Sequence, residues 1–264
     1  MIKDAWFRFL KWHASGRRLL GHQIVQSAKF YIAHYFYESC GIERNGEALL
    51  LRRLAGRASM IFDVGANCGE WSSIASEHHP DATIHAFELV LSTYALLEGA
   101  VAEGVIIHPF GLAEQGGTVE VEVDRDDHQI SSFYSIPGFH RVTDRFECRV
   151  ERGDEFCDQQ GITEIDLLKV DAEGAEPLVI KGFGGLIVRG AINVIQFEYG
   201  YANIAARFLL ADFYELLGKR YAIGLLTKRG VVFRDYSVEH ETFQGPNYVA
   251  VARRRPDLID LLSA

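Results

Sequence analysis

The chain has 264 residues, 48% hydrophobic and 24% charged, which suits one sizeable globular domain with an appendage rather than two full domains. Its formal net charge of -9 at pH 7 argues against a general nucleic-acid binder, which needs a basic face. Four cysteines, Cys40, Cys68, Cys148 and Cys157, form no C-x-x-C pair, so a zinc site or redox dithiol is disfavoured and reduced thiols in a cytoplasmic protein are expected.

In chain order, the first 35 residues stand apart. Lys3, Arg8, Lys11, Arg17, Arg18 and Lys29 face a single acid, Asp4, so this stretch carries +5 and the remainder -14. Trp6, Phe7, Phe9, Leu10 and Trp12 are interleaved with the bases. Two readings stand: a helical lid packed on the main domain with its bases in water, or a helix lying on a membrane surface. No secretory signal pattern and no run of about 18 apolar residues is present. Helical character continues through residues 23–40, and a short amphipathic helix follows, so residues 1–50 are read as a helical extension and 51–264 as the main domain.

From Ser59 short apolar runs alternate with helical stretches, the pattern of a parallel sheet covered by helices. The expected strands are 59–64, 83–88, 104–110, 165–171 and 192–198. Helices are expected over 70–78, 91–102 and 173–183, the last with Pro177 in its first turns. Residues 118–123 (TVEVEV) alternate with period two, as in a strand with one exposed face. The polar stretch that follows, with His128, Ser131 and Ser132, is long enough for a functional role. Near the end RYAIGLL, GVVFRDY and NYVAVARR suggest further strands that close an edge.

Two constellations carry chemistry. The first is MIFDVGANCGEW, in which a strand ends in Asp63 and runs through Gly65, Asn67 and Gly69 into a helix. Glycines there permit positive φ and close approach to the backbone, and the helix N-terminus adds N–H donors. An acid at the strand end would repel a phosphate, which disfavours a dinucleotide and suits a cationic ligand such as S-adenosylmethionine. Glu88, ending the second strand, is placed to accept hydrogen bonds from ribose hydroxyls. The bland reading is an ordinary turn capped by Asn67.

The second is IDLLKVDAEGAE with NVIQFEY, whose strands end in Asp171 and Glu198. Neighbouring strand ends share a crevice, so Asp171, Glu173 and Glu198 could converge beside a bound cofactor. One of them could take a proton from an attacking hydroxyl, with Asp171 the first choice; together they could hold Mg²⁺. Glu176 reads as a helix N-terminal acid without a catalytic role, a reading that also stands for Glu173. His108, ending the third strand, reads as a wall of the adenine region, and His128 as a solvated loop residue.

The run DVGANCGEWS, then AFE, IDLLKVDAEGAEPLVIKG and VIQFEY, resembles the FkbM-type family of S-adenosylmethionine-dependent methyltransferases over about residues 59–200. The resemblance implies a doubly wound class I methyltransferase fold of α/β type, with seven strands, the last antiparallel. It implies methyl transfer, usually to a hydroxyl of a sugar or of a polyketide-like product. It also puts Asp63, Gly65, Asn67 and Gly69 on the cofactor loop, Glu88 on the ribose acid, and Asp171, Glu173 and Gly174 on the acid-rich signature. FELVLS departs from the Pro and Asn that commonly follow the ribose acid. An N-methyltransferase and a non-catalytic protein that binds the cofactor or a lipid are the competing functions. The expected partner is a small-molecule, glycan or lipid-linked acceptor.

Overall fold

The computed structural model of the chain describes residues 8, 11, 19–37, 41–123, 131–132 and 144–264. His128 and most of the long polar stretch around it lie outside the described residues. Residues 1–39 and 40–264 form two separate units. In the first, helix α1 spans Leu19–Tyr37, close to the helix expected over 23–40. No helix among the described residues is long and apolar enough to cross a membrane.

The second unit begins earlier than the expected boundary at residue 50. Helices α2 (Ile42–Asn45) and α3 (Glu47–Leu54) belong to it, because Leu50, Leu51 and Leu54 are buried in one cluster with Ile61, Trp71 and Leu258. Each fully buried leucine contributes about 1.5–3 kcal/mol, enough to hold a two-turn helix that has little stability alone.

Strands β1 (Met60–Val64), β2 (Thr83–Phe87) and β3 (Val105–His108) alternate with helices α4 (Glu70–His78) and α5 (Leu91–Ala100). The chain then leaves the main sheet for β4 (Gly111–Ala113), β5 (Gly117–Val123), β6 (Ser131–Ser132) and β7 (Asp144–Arg152), which form a second sheet in the order β4-β7-β5-β6. It returns through α6 (Gly153–Gln160), β8 (Ile165–Val170), α7 (Glu176–Gly182), α8 (Gly184–Arg189) and β9 (Ile192–Glu198). After α9 (Ala202–Ala206) and α10 (Leu210–Leu217) come β10 (Tyr221–Thr227), β11 (Gly230–Phe233), β12 (Asn247–Ala252) and α11 (Pro256–Leu262).

The main sheet has the order β11-β10-β12-β9-β8-β1-β2-β3. Strands β3, β2, β1, β8 and β9 pair in parallel, whereas β12 pairs antiparallel to both β9 and β10. The expected seven strands become eight. The extra one is β11, which folds back on β10 through a tight turn with Thr227 opposite Gly230. The Thr227 hydroxyl donates to the Gly230 carbonyl and accepts from the Arg229 N–H, closing that hairpin.

Alternation along the strands divides the core. Phe62, Phe87, Leu168, Val170 and Phe197 pack with Phe156 of α6, Phe183 and Phe213 on one face. Ile61, Leu167 and Val194 meet α3, α4 and α11 on the other. On this second face the register puts Ile61 beside Leu167 and Leu167 beside Val194; two residues on, Asp63 stands beside Lys169 and Lys169 beside Gln196. The face is therefore apolar at the amino ends of the strands and turns polar towards their carboxyl ends, where the site lies.

Candidate active site

Every element of the first constellation follows from the turn after β1. Gly65 has φ +80°, and a Cβ there would collide with the Asp171 carbonyl oxygen. The missing side chain thus makes room first for the exit of β8, not for a ligand. The Gly65 and Ala66 N–H groups both donate to the Phe87 carbonyl, at 3.0 and 2.9 Å, which pins the turn to the end of β2. Gly65→Ala is expected to destabilise the fold by more than about 1 kcal/mol and to abolish binding of S-adenosylhomocysteine, read by urea unfolding and calorimetry. Wild-type values in both would remove the close approach from the explanation of this glycine.

Asn67 also has positive φ (49°), and its N–H donates to Glu88 Oε2 at 3.0 Å. Glu88 Oε1 accepts from the Val90 N–H at 2.8 Å. Burial raises the proton affinity of Glu88, and these two N–H bonds counter it. Each oxygen takes one N–H and has a second acceptor position, which fits the paired hydroxyls of a ribose. Gly69, in the left-handed region, precedes α4, and no side chain caps that helix. Its first N–H groups fit a ligand carboxylate. These features together fit S-adenosylmethionine.

Asp63 takes a different part from the expected one. It is 0% exposed, accepts from the Ser72 hydroxyl at 2.7 Å, and pairs with Lys169 Nζ at 3.0 Å. Its charge meets a lysine of its own chain rather than a ligand cation. Lys169 Nζ also lies 3.5 Å from the Gly65 carbonyl oxygen, 3.5 Å from Asp171 Oδ2 and 5.7 Å from the centre of the Trp71 ring. Burial lowers the proton affinity of Lys169, but the carboxylates of Asp63, Asp171 and Glu47 outweigh it and raise it above the ordinary lysine value. Glu47 reaches the same row from α3: it accepts from the Gln196 amide, which also donates to Asn247 at 3.2 Å. Sequence reasoning missed Lys169, Ser72, Gln196 and Glu47. The available signal was a lysine inside IDLLKVD and a glutamine inside INVIQFE, polar residues at buried positions of apolar strands.

The second constellation does converge. Strand β8 lies directly beside β1, so Asp171 leaves the sheet next to the glycine turn, and its N–H donates to the Val64 carbonyl at 3.0 Å. Oxygens of Asp171, Glu173 and Glu198 all lie within 4.8 Å of one another. The Asp171 side chain is 40% exposed. Burial first, then the charges of Asp171 and Glu173, push the proton affinity of Glu198 well above the usual carboxylate range. Glu176 behaves as the structural acid expected: Oε1 accepts from the Ala172 and Gly174 N–H groups at 2.9 and 3.1 Å. Its burial raises its pKa to about 7 against those bonds. It folds the turn in which Glu173 takes φ +47° and so aims the acidic cluster.

His108 stacks on Phe87, ring centres 4.5 Å apart, and its Nε2 lies 2.9 Å from His85 Nδ1. Burial, then the neighbouring His85, lower its pKa from 6.5 to about 4. A histidine held neutral in the fold charges first in the unfolded chain. Stability therefore falls as the pH drops from 6.5 towards 4 and this contribution is flat below that. For a half-buried ring the loss should be about 1 kcal/mol. Urea unfolding of His108→Leu across that range should show a shallower slope than wild type; equal slopes would discard the assignment. Ser131 and Ser132 form β6, paired with Val123 and Glu122 of β5.

The sequence model of the methyltransferase FkbM domain family matches residues 63–221, a span that runs from Asp63 through both constellations to the start of β10. A relative, the 31-O-demethyl-FK506 methyltransferase FkbM of Streptomyces tacrolimicus, is 25% identical over 192 residues, covering 62% of this chain and 71% of its own. Among solved structures, a methyltransferase FkbM from Methylobacillus flagellatus KT shares 14% identity and a TM-score of 0.46, over 73% of this chain and 43% of that one. The O-methyltransferase TomG of Streptomyces achromogenes, solved with S-adenosylmethionine, shares 15% identity and a TM-score of 0.44, over 85% of this chain and 88% of that one. The family match covers more than half of the chain, and on that ground the chain belongs to the methyltransferase FkbM domain family, whose members are S-adenosylmethionine-dependent methyltransferases.

Proposed function

We propose that this protein methylates a hydroxyl oxygen of a sugar, glycan or polyketide-like small molecule, with Asp171 as the base. The observation that carries the reading is the meeting of Asp171, Glu173 and Glu198 beside the glycine turn. S-adenosylmethionine, when bound, supplies a methyl group on a positively charged sulfur. Glu88 holds the ribose and the first turn of α4 the carboxylate. Asp171 takes the proton of the acceptor hydroxyl, within reach of the crevice and on the strand next to the cofactor turn. Glu198, whose proton affinity burial and the neighbouring carboxylates raise, stands beside Asp171 in the same cluster. An amine acceptor would need less of a base than this cluster offers. The relative named as a 31-O-demethyl-FK506 methyltransferase accords with an oxygen acceptor.

The test is transfer of labelled methyl to a panel of glycans, lipid-linked sugars and macrolide alcohols. Cofactor binding without turnover on any of them would favour a non-catalytic scaffold; turnover confined to amines would favour N-methylation. The closeness of three carboxylates also supports a second reading, in which Asp171, Glu173 and Glu198 hold Mg²⁺ that acidifies the hydroxyl. In that case EDTA abolishes turnover and Mg²⁺ restores it. Full activity in EDTA leaves Asp171 as the base without a metal.

A further inference from the structure

Residues 1–37 combine features that the family match, which begins at Asp63, does not use. They hold six bases and one acid, while the rest of the chain carries -14. They also hold two of the three tryptophans, Trp6 and Trp12, and seven phenylalanines and tyrosines. Among the described residues Arg8 and Lys11 are exposed. On α1, Ile24, Val25, Phe30 and Tyr31 are 41–67% exposed, and Ile24 and Tyr31, seven positions apart, share one stripe of the helix. Lys29 is the sole Lys, Arg, Asp or Glu of α1, so the helix can bury its aromatic side chains with little desolvation of charge.

Aromatic rings at headgroup depth, bases against anionic headgroups and few acids are what a bilayer interface selects. A nucleic acid, the other polyanion, is held through a face rich in bases, whereas α1 carries one base among apolar and aromatic residues. We propose that residues 1–37 dock this protein on an anionic lipid surface, with α1 lying in the plane of the interface. Each base held near such a surface strengthens partition by about fivefold, and salt weakens it. The proposal is independent of the methyl-transfer reading, since it is tested by partition rather than turnover.

The experiment is co-sedimentation of the full chain with vesicles of phosphatidylcholine alone and of phosphatidylcholine mixed with phosphatidylserine. Uptake by the mixed vesicles only, falling with salt, is expected. Arg8→Glu with Lys11→Glu should weaken it by more than about tenfold. Phe30→Ser with Tyr31→Ser should weaken it similarly and leave its salt dependence in place. Unchanged unfolding midpoints in both variants show that the fold is intact. The proposal is overturned by no uptake at all, as when these residues pack on the acidic remainder of the chain. It is equally overturned by equal uptake onto phosphatidylcholine alone, by full uptake in both variants, or by a dimer that dissociates in Phe30→Ser with Tyr31→Ser while vesicles take up nothing.

Discussion

Asp171→Asn is expected to slow methyl transfer by about 10²–10⁴-fold while S-adenosylhomocysteine affinity stays within about threefold of wild type. The amide matches the carboxylate in shape but cannot take the proton of an acceptor hydroxyl. The Asp171 side chain pairs with Lys169 Nζ at 3.5 Å, but the turn that carries it rests on other bonds. It is held by the Asp171 N–H on the Val64 carbonyl and by Glu176 on the N–H groups of Ala172 and Gly174. Calorimetry and single-turnover transfer on the same preparation separate the two effects. Retention of wild-type turnover would end the role given to Asp171. A joint loss of turnover and cofactor binding would point to a positioning role instead.

Lys169→Met should destabilise the fold by about 3–5 kcal/mol, because it leaves Asp63 charged and buried without its partner. Asp63 is 0% exposed, and after the change the Ser72 hydroxyl at 2.7 Å is the one side-chain donor left to it among the described residues. The methionine fills the space of the lysine stem beside Trp71, so the loss reads the charge rather than a cavity. Asp63→Asn combined with Lys169→Met removes the stranded charge and should recover about half of the stability. Chemical denaturation followed by circular dichroism measures both. A loss below about 1 kcal/mol for the single change, or no recovery in the double, would show that the ion pair does not hold the turn.

Much of the fold is legible because its signals are local. The apolar runs at 59–64, 83–88, 165–171 and 192–198 became β1, β2, β8 and β9 with small shifts at the ends, and Pro177 sits in the first turn of α7, where its fixed φ is tolerated. The edge strands were also visible, but not the order β11-β10-β12, which puts the last strand of the chain inside the sheet. Helix α3 straddles the expected boundary at residue 50 for a related reason: it is short, and its leucines are explained only by the sheet face that covers them.

The sequence by itself determined which residues end the parallel strands, that a glycine turn follows the first of them, and that Asp171, Glu173 and Glu198 arise at neighbouring ends. Strand periodicity and turn chemistry act over a few residues and need no knowledge of distant neighbours. Only the tertiary structure decided which charges answer the acids at the strand ends. Asp63 and Lys169, 106 positions apart, become partners through the pairing of β1 with β8. That pairing turns a strand-end acid from a ligand contact into half of a buried ion pair. A residue's own neighbourhood in sequence specifies its face. The charge that answers it is chosen by strand order and register, which long-range packing sets.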